Sequence, residues 1–169
     1  MGEPIVEWLN QQQDIMVELL RDLVNIDSNS FDKAGVDRVG ARLTAFFDDN
    51  EIQHETIPLE EYGDAIRAVV SGGDGNQPIL LCGHRDTVFP TGEAEKRPFS
   101  IAAGKAFGPG VADMKPGLVI NAFILAAFHK FGGHPNPLVG LFTGDEEIGS
   151  PASRDVITAE AKKARLAFN

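Results

Sequence analysis

The sequence predicts an α/β fold with a mostly parallel or mixed central sheet. Segments of helical period alternate with apolar runs of strand length. Two of those runs, residues 78–83 and 137–142, are nearly unbroken in apolar character, as in strands covered on both faces. Glycine-rich turn signals punctuate the chain between them.

The elements follow in order. Residues 4–25 read as one helix whose broad apolar face carries Ile5, Trp8, Leu9, Ile15, Met16, Leu19, Leu20, Leu23 and Val24. A second helix spans 32–49, with Val36, Val39, Leu43, Phe46 and Phe47 on its stripe. Strands are expected at 52–57 and 65–71, and Gly72-Gly73-Asp74-Gly75-Asn76 then turns the chain. That cluster is not a phosphate loop, because no Gly-Lys-Ser/Thr follows it. After the strand at 78–83, residues 89–110 are loop-rich, with a small hairpin around Ala103-Gly104. Residues 115–131 form a buried helix closed by Gly132-Gly133. The strand at 137–142 is followed by a helix at 152–164 and a strand at 165–169. There is no internal repeat and no low-complexity segment.

Composition narrows the function. A chain of 169 residues is one ordinary domain, and 43% hydrophobic with 24% charged residues describes a globular protein. The net charge of −10 argues against nucleic acid, whose phosphates need a basic patch. Cys82 is the only cysteine, which excludes an intrachain disulfide and a cysteine zinc cluster; its apolar run predicts a core position. The first residues show neither a signal peptide nor a myristoylation pattern, since Val6 stands where Ser or Thr is required. The longest apolar stretch, 118–128, is interrupted by Asn121 and too short for a bilayer. A cytoplasmic protein without membrane contact is the expectation.

Three short acidic segments carry the chemistry: Cys82-Gly83-His84-Arg85-Asp86-Thr87-Val88, Gly108-Pro109-Gly110-Val111-Ala112-Asp113-Met114-Lys115 and Thr143-Gly144-Asp145-Glu146-Glu147-Ile148-Gly149-Ser150. Each sits where an apolar run ends and a turn begins, and together they offer an imidazole and several carboxylates, the donors of a zinc site. In an α/β fold, sites lie at the carboxyl ends of strands, where His84, Glu146 and Glu147 fall. Residues two apart on a strand share a side, so Asp86 can reach the His84 nitrogen facing away from a metal. Asp113 suits either a helix N-cap or a carboxylate bridging two ions. The acids at 145–147 suit either the positive end of the following helix or a ligand beside a general base. Both glutamates can serve one site only if the backbone turns, which Gly149 permits. His54 is expected exposed in a strand, His129 near a helix C-terminus and His134 in a loop, all without function.

Together these segments, with Thr87-Val88-Phe89-Pro90 and Arg97-Pro98-Phe99, resemble the zinc-dependent exopeptidase family of glutamate carboxypeptidase, aminoacylase, acetylornithine deacetylase and succinyl-diaminopimelate desuccinylase. The wording is most similar to the glutamate carboxypeptidase branch. The resemblance implies a three-layer mixed-sheet catalytic domain, with residues 1–169 as its N-terminal part and the lid and dimerisation domain absent. It implies two zinc ions, with His84 on the first, Asp113 bridging both and Glu147 on the second. Glu146 would be the general base, Asp86 would orient His84, and the peptide after Asp113 would be cis. Arg85 and Pro116 depart from the family pattern without touching a proposed ligand. The resemblance also implies further ligands beyond Asn169. With two ligands per ion, one of them shared, the chain alone is expected to be metal-free or weakly metallated and inert. The implied parent is a homodimer that cleaves a small peptide or an N-acyl amino acid. A carboxypeptidase is the leading reading, an N-deacylase or dipeptidase the second and a non-catalytic truncated module the third.

Overall fold

The computed structural model describes residues 2–169. Helices α1 (Gly2–Gln11), α2 (Gln13–Val24) and α3 (Lys33–Asp49) precede strands β1 (Gln53–Ile57), β2 (Ala65–Val70) and β3 (Ile79–His84). The one-turn helix α4 (Glu93–Lys96) and the hairpin β4 (Ser100–Ala102) and β5 (Lys105–Phe107) follow. Helix α5 (Lys115–Lys130), strand β6 (Leu138–Thr143), helix α6 (Arg154–Lys163) and strand β7 (Leu166–Phe168) complete the chain.

Five strands form one mixed sheet in the order β1-β2-β6-β3-β7. β1 with β2 and β2 with β6 are antiparallel; β3 runs parallel to both β6 and β7. Side-chain alternation divides the sheet into two apolar faces. Ile66, Ala68, Leu81, Leu138 and Phe142 meet Leu19, Leu23, Leu43, Phe47 and Phe123 from α2, α3 and α5. Leu80, Val139 and Leu141 point the other way, against Val156 and Ile157 of α6. The result is the expected three layers, with the larger core on the multi-helix side.

Two expectations are corrected near the N-terminus. The single helix at 4–25 is two helices, broken at Gln12. Residues 10–14 are all polar, so no packing holds that turn in line. The break aims Trp8 at Phe123 and Phe131, with ring centroids 6.3 and 6.5 Å away. It also leaves Ile15 exposed. Asp32 is the N-cap of α3 rather than its first residue, accepting the Gly35 amide at 3.0 Å. The hairpin turns at Ala103 and Gly104 as predicted, both at positive φ. Among the described residues, no helix is long and apolar enough to cross a membrane. β3 and β6 end side by side at His84 and Thr143, so two of the three acidic segments begin from adjacent strand ends.

Candidate active site

His84 is the last residue of β3 and is buried. Asn121, the polar interruption in the apolar helix α5, donates to Cys82 O at 2.8 Å and ties helix to strand. The Met114 sulfur accepts the His84 amide at 3.3 Å. His84 Nδ1 lies 3.1 Å from Asp86 O and 3.3 Å from Asp86 Oδ1. An Nδ1–H directed at these acceptors leaves Nε2 facing outward, 3.1 Å from Asp113 Oδ1 and 3.6 Å from Glu146 Oε2. Burial lowers the His84 pKa, but Asp86, then Glu146 and Asp113, raise it to about 9. The surrounding acids therefore favour positive charge at this point, whether from a proton or a cation.

Asp86 is fully buried and does more than orient an imidazole. Its carboxylate accepts the Ser30 hydroxyl at 2.7 Å, the Glu146 amide at 3.2 Å and the Glu147 amide at 3.1 Å. Burial raises its pKa, yet the bonds from His84, Ser30 and the Glu147 amide outweigh that and hold it below the usual carboxylate range.

Asp113 is not the N-cap of α5. Met114 occupies the N-cap position of α5, with no side-chain cap bond, and the Asp113 side chain is 74% exposed beside His84. The Asp113–Met114 peptide is cis. Lys115, next in the chain, is buried; its Nζ donates to Leu23 O and Ile26 O, each at 2.8 Å. Burial pushes its pKa down to about 8, against the field of Asp27.

The acids at 145–147 differ in their surroundings. Asp145 is fully buried and accepts the Ala152 amide at 2.7 Å, the Ser153 amide at 3.0 Å and the Ser153 hydroxyl. It fastens the approach to α6. Glu146 and Glu147 lie in a 3₁₀ turn, Glu146–Ile148, closed by Gly149 at φ +87. Gly149 returns its amide to Glu146 O at 2.8 Å, the reversal that brings both glutamates to one place. Burial raises the Glu147 pKa, with Asp113, Asp86 and Glu146 adding to it against His84.

One ligand atom from each of His84, Asp113 and Glu147 lies within 4.8 Å of the others. An imidazole nitrogen and two carboxylate oxygens form a donor set that fits zinc. The hydrogen-bonded Nδ1 side of His84 fits a ligand held through Nε2. The five residues singled out in the sequence therefore converge, three as candidate ligands, with Glu146 beside them and Asp86 beneath.

Other residues take plainer places. Arg85 points away from this group and is fully buried, donating to Val36 O at 3.0 Å and to Asp64 O. Gly40 leaves the slot it fills: a Cβ there would stand 2.1 Å from Arg85 Nη1. Burial lowers the guanidinium pKa to about 10, opposed by Asp37, Asp64 and Asp86. Cys82 is half-buried rather than core, because it lines an open groove with Leu141, Ile157 and Ala161. His54 is half-buried, 2.9 Å from Asp48, and His134 holds its own loop through Asn136. The sequence reading missed Ser30; a serine in a polar turn after a helix carries no signal of its partner.

The mixed-sheet α/β domain thus carries a histidine–carboxylate group at its strand ends, a donor set that fits a metal ion. The family model for peptidase family M20/M25/M40 matches residues 80–168, more than half of the chain, and the chain belongs to that family. It is 34% identical over 161 residues to carboxypeptidase G2 of Pseudomonas sp. (strain RS-16), covering 90% of this chain and 37% of that protein. It is 32% identical over 147 residues to acetylornithine deacetylase of Salmonella arizonae, covering 82% of this chain and 38% of that protein. The chain thus spans well under half the length of these relatives. The crystal structure of human carnosine dipeptidase 1 shares the fold at a TM-score of 0.82 and 17% identity, covering 99% of this chain and 40% of that one.

Proposed function

We propose that this chain is the N-terminal part of the catalytic domain of a dizinc hydrolase that releases a C-terminal amino acid by cleaving its amide bond. The convergence of His84, Asp113 and Glu147, with Glu146 3.6 Å from His84 Nε2, carries this reading. His84 and Asp113 would hold one ion, and Asp113 and Glu147 the other. Bound there, the ions would polarise a scissile carbonyl and make water a nucleophile at neutral pH. The Glu146 carboxylate is half exposed, while its backbone is pinned to Asp86. It is therefore free to take a proton from the attacking water and return it to the leaving amine. Asp86 holds the imidazole with Nε2 outward.

Similarity to carboxypeptidase G2 supports a carboxypeptidase acting on a small peptide or an acylated amino acid. Similarity to acetylornithine deacetylase supports a second reading, an N-acyl amino acid deacylase using the same groups. On this assignment each of two ions would have only two ligands among the described residues, one of them shared, below the three usual for catalytic zinc. The chain alone is accordingly proposed to bind metal weakly and to turn over little or no substrate.

Calorimetric titration with zinc, cobalt and manganese tests the site. The expected result is weak uptake that His84→Ala abolishes, with amide hydrolysis confined to the full-length gene product. A wild-type chain and full-length product that both take up no metal would overturn the reading.

A further inference from the structure

The turn between α2 and α3 is built into the site, although it supplies no candidate ligand. Ser30 is 2% exposed, and its hydroxyl reaches Asp86 Oδ2 at 2.7 Å across 56 residues of sequence. The same turn docks along the segment that leaves β3. The Thr87 amide donates to Ser28 O at 2.8 Å, and the Asn29 side-chain amide donates to Phe89 O at 3.1 Å. Just upstream, Leu23 O and Ile26 O receive Lys115 Nζ, two residues past Asp113. Residues 23–30 thus anchor both the His84 segment and the Asp113 segment.

Asp86 is the junction of these contacts. Its two oxygens face Ser30, the Glu146 and Glu147 amides and His84 Nδ1. A carboxylate can swing about its side-chain torsions; the Glu146 amide and His84 Nδ1 meet Oδ1, and the Glu147 amide shares Oδ2 with Ser30. The Ser30 hydroxyl comes from another element and holds Oδ2 at the shorter of that oxygen's two contacts, 2.7 against 3.1 Å. Without it, the carboxylate is free to settle toward the imidazole or toward the amides, and the spacing between them changes.

We propose that Ser30 is a positioning residue of the site: through Asp86, its hydroxyl sets where His84 stands relative to the backbone of Glu146 and Glu147. The inference deepens the metal-site reading above and rests on it for its zinc consequence, but its structural consequence is independent of metal. The internal control lies two residues away. Ser28 Oγ is equally buried and has no hydrogen-bond partner among the described residues. Ser28→Ala therefore deletes the same atom from the same turn without touching Asp86.

The experiment compares wild type, Ser30→Ala and Ser28→Ala, each first shown to be folded by circular dichroism and thermal melting. Amide hydrogen exchange of Glu146 and Glu147 is read by NMR on metal-free protein, and zinc affinity by competition with a chelator. Ser30→Ala is expected to speed exchange at both amides and to weaken zinc about tenfold, the lower end for a group that orients ligands. It is also expected to shift the absorption bands of the cobalt-loaded protein. Ser28→Ala is expected to leave every readout within about twofold of wild type. Unchanged amide exchange in Ser30→Ala sinks the proposal, as does unchanged zinc affinity where wild type binds zinc. Equal effects of the two substitutions, a loosened turn only, sink it too. If neither the wild-type chain nor the full-length product takes up metal while Ser30→Ala still speeds exchange, the metal reading fails and the positioning role stands.

Discussion

Asp86 and Asp145 differ sharply from Asp113, Glu146 and Glu147, although all five belong to the same three sequence segments. The first two are fully buried, and every carboxylate contact comes from the protein's own amides, hydroxyls and imidazole. The side chains of Asp113 and Glu146 are 74% and 52% exposed, and those of Glu146 and Glu147 hang from a backbone that Asp86 holds. Neighbouring acids thus divide the labour. Buried carboxylates build a frame, and exposed ones are left with oxygens unclaimed for a cation or a proton. Satisfied acids contribute to folding, whereas unsatisfied ones are available for chemistry.

The comparison predicts a descending series of stability effects. Asp86→Ala strands two amides and a hydroxyl in a buried site and should destabilise by about 4 kcal/mol in urea unfolding. Zinc uptake should be lost with it. Asp145→Ala removes three contacts at the approach to α6, for about 3 kcal/mol, with hydrogen exchange accelerating first in that helix. A loss confined below about 1 kcal/mol for either would dissolve the distinction between frame and reactive acids.

Glu160 is an intermediate case, mostly buried but paired with cations. It lies 3.1 Å from Arg67 and 2.7 Å from Lys163. Burial raises its pKa, but the bonds from Lys163 and Arg67 outweigh it and hold the group below its ordinary 4.5. A depressed folded pKa means stability that is present above the unfolded value and lost as pH falls through the folded one. Glu160→Gln should cost about 1 kcal/mol at neutral pH, and the two stability curves should converge in acid. Parallel curves down to the acid transition would show that the pair contributes no linkage.

Glu146→Gln closes the series. Its effect on stability should fall within about 0.5 kcal/mol, because the half-exposed carboxylate makes one long contact, 3.6 Å to His84 Nε2. Metal should be retained, while amide hydrolysis by the full-length product falls at least about 100-fold. A variant that keeps full turnover would remove Glu146 from the reaction.

Much of this was legible in the chain. The runs at 78–83 and 137–142 had to be interior strands, because nothing polar interrupts either face. His84 and Asp86 were readable as a pair from the two-residue repeat, and the turn at Gly149 from its residue type. Asp145 was not separable from Glu146 and Glu147: which of three adjacent acids turns inward depends on where Ala152 and Ser153 arrive. The polar run at 10–14 marks where the first helix can break, but that Trp8 then meets Phe123 and Phe131 was not readable in the chain.

The sequence by itself determined the order of the larger helices and strands, their approximate ends and the chemical donors, because hydrophobic period and turn chemistry act over a few residues. Tertiary structure alone decided which acids are buried, that Asp113 meets His84 across 29 residues, and that Ser30 holds Asp86 across 56. A carboxylate is the same group in any sequence. Whether it braces the fold or faces solvent is set by the donors that packing brings to it.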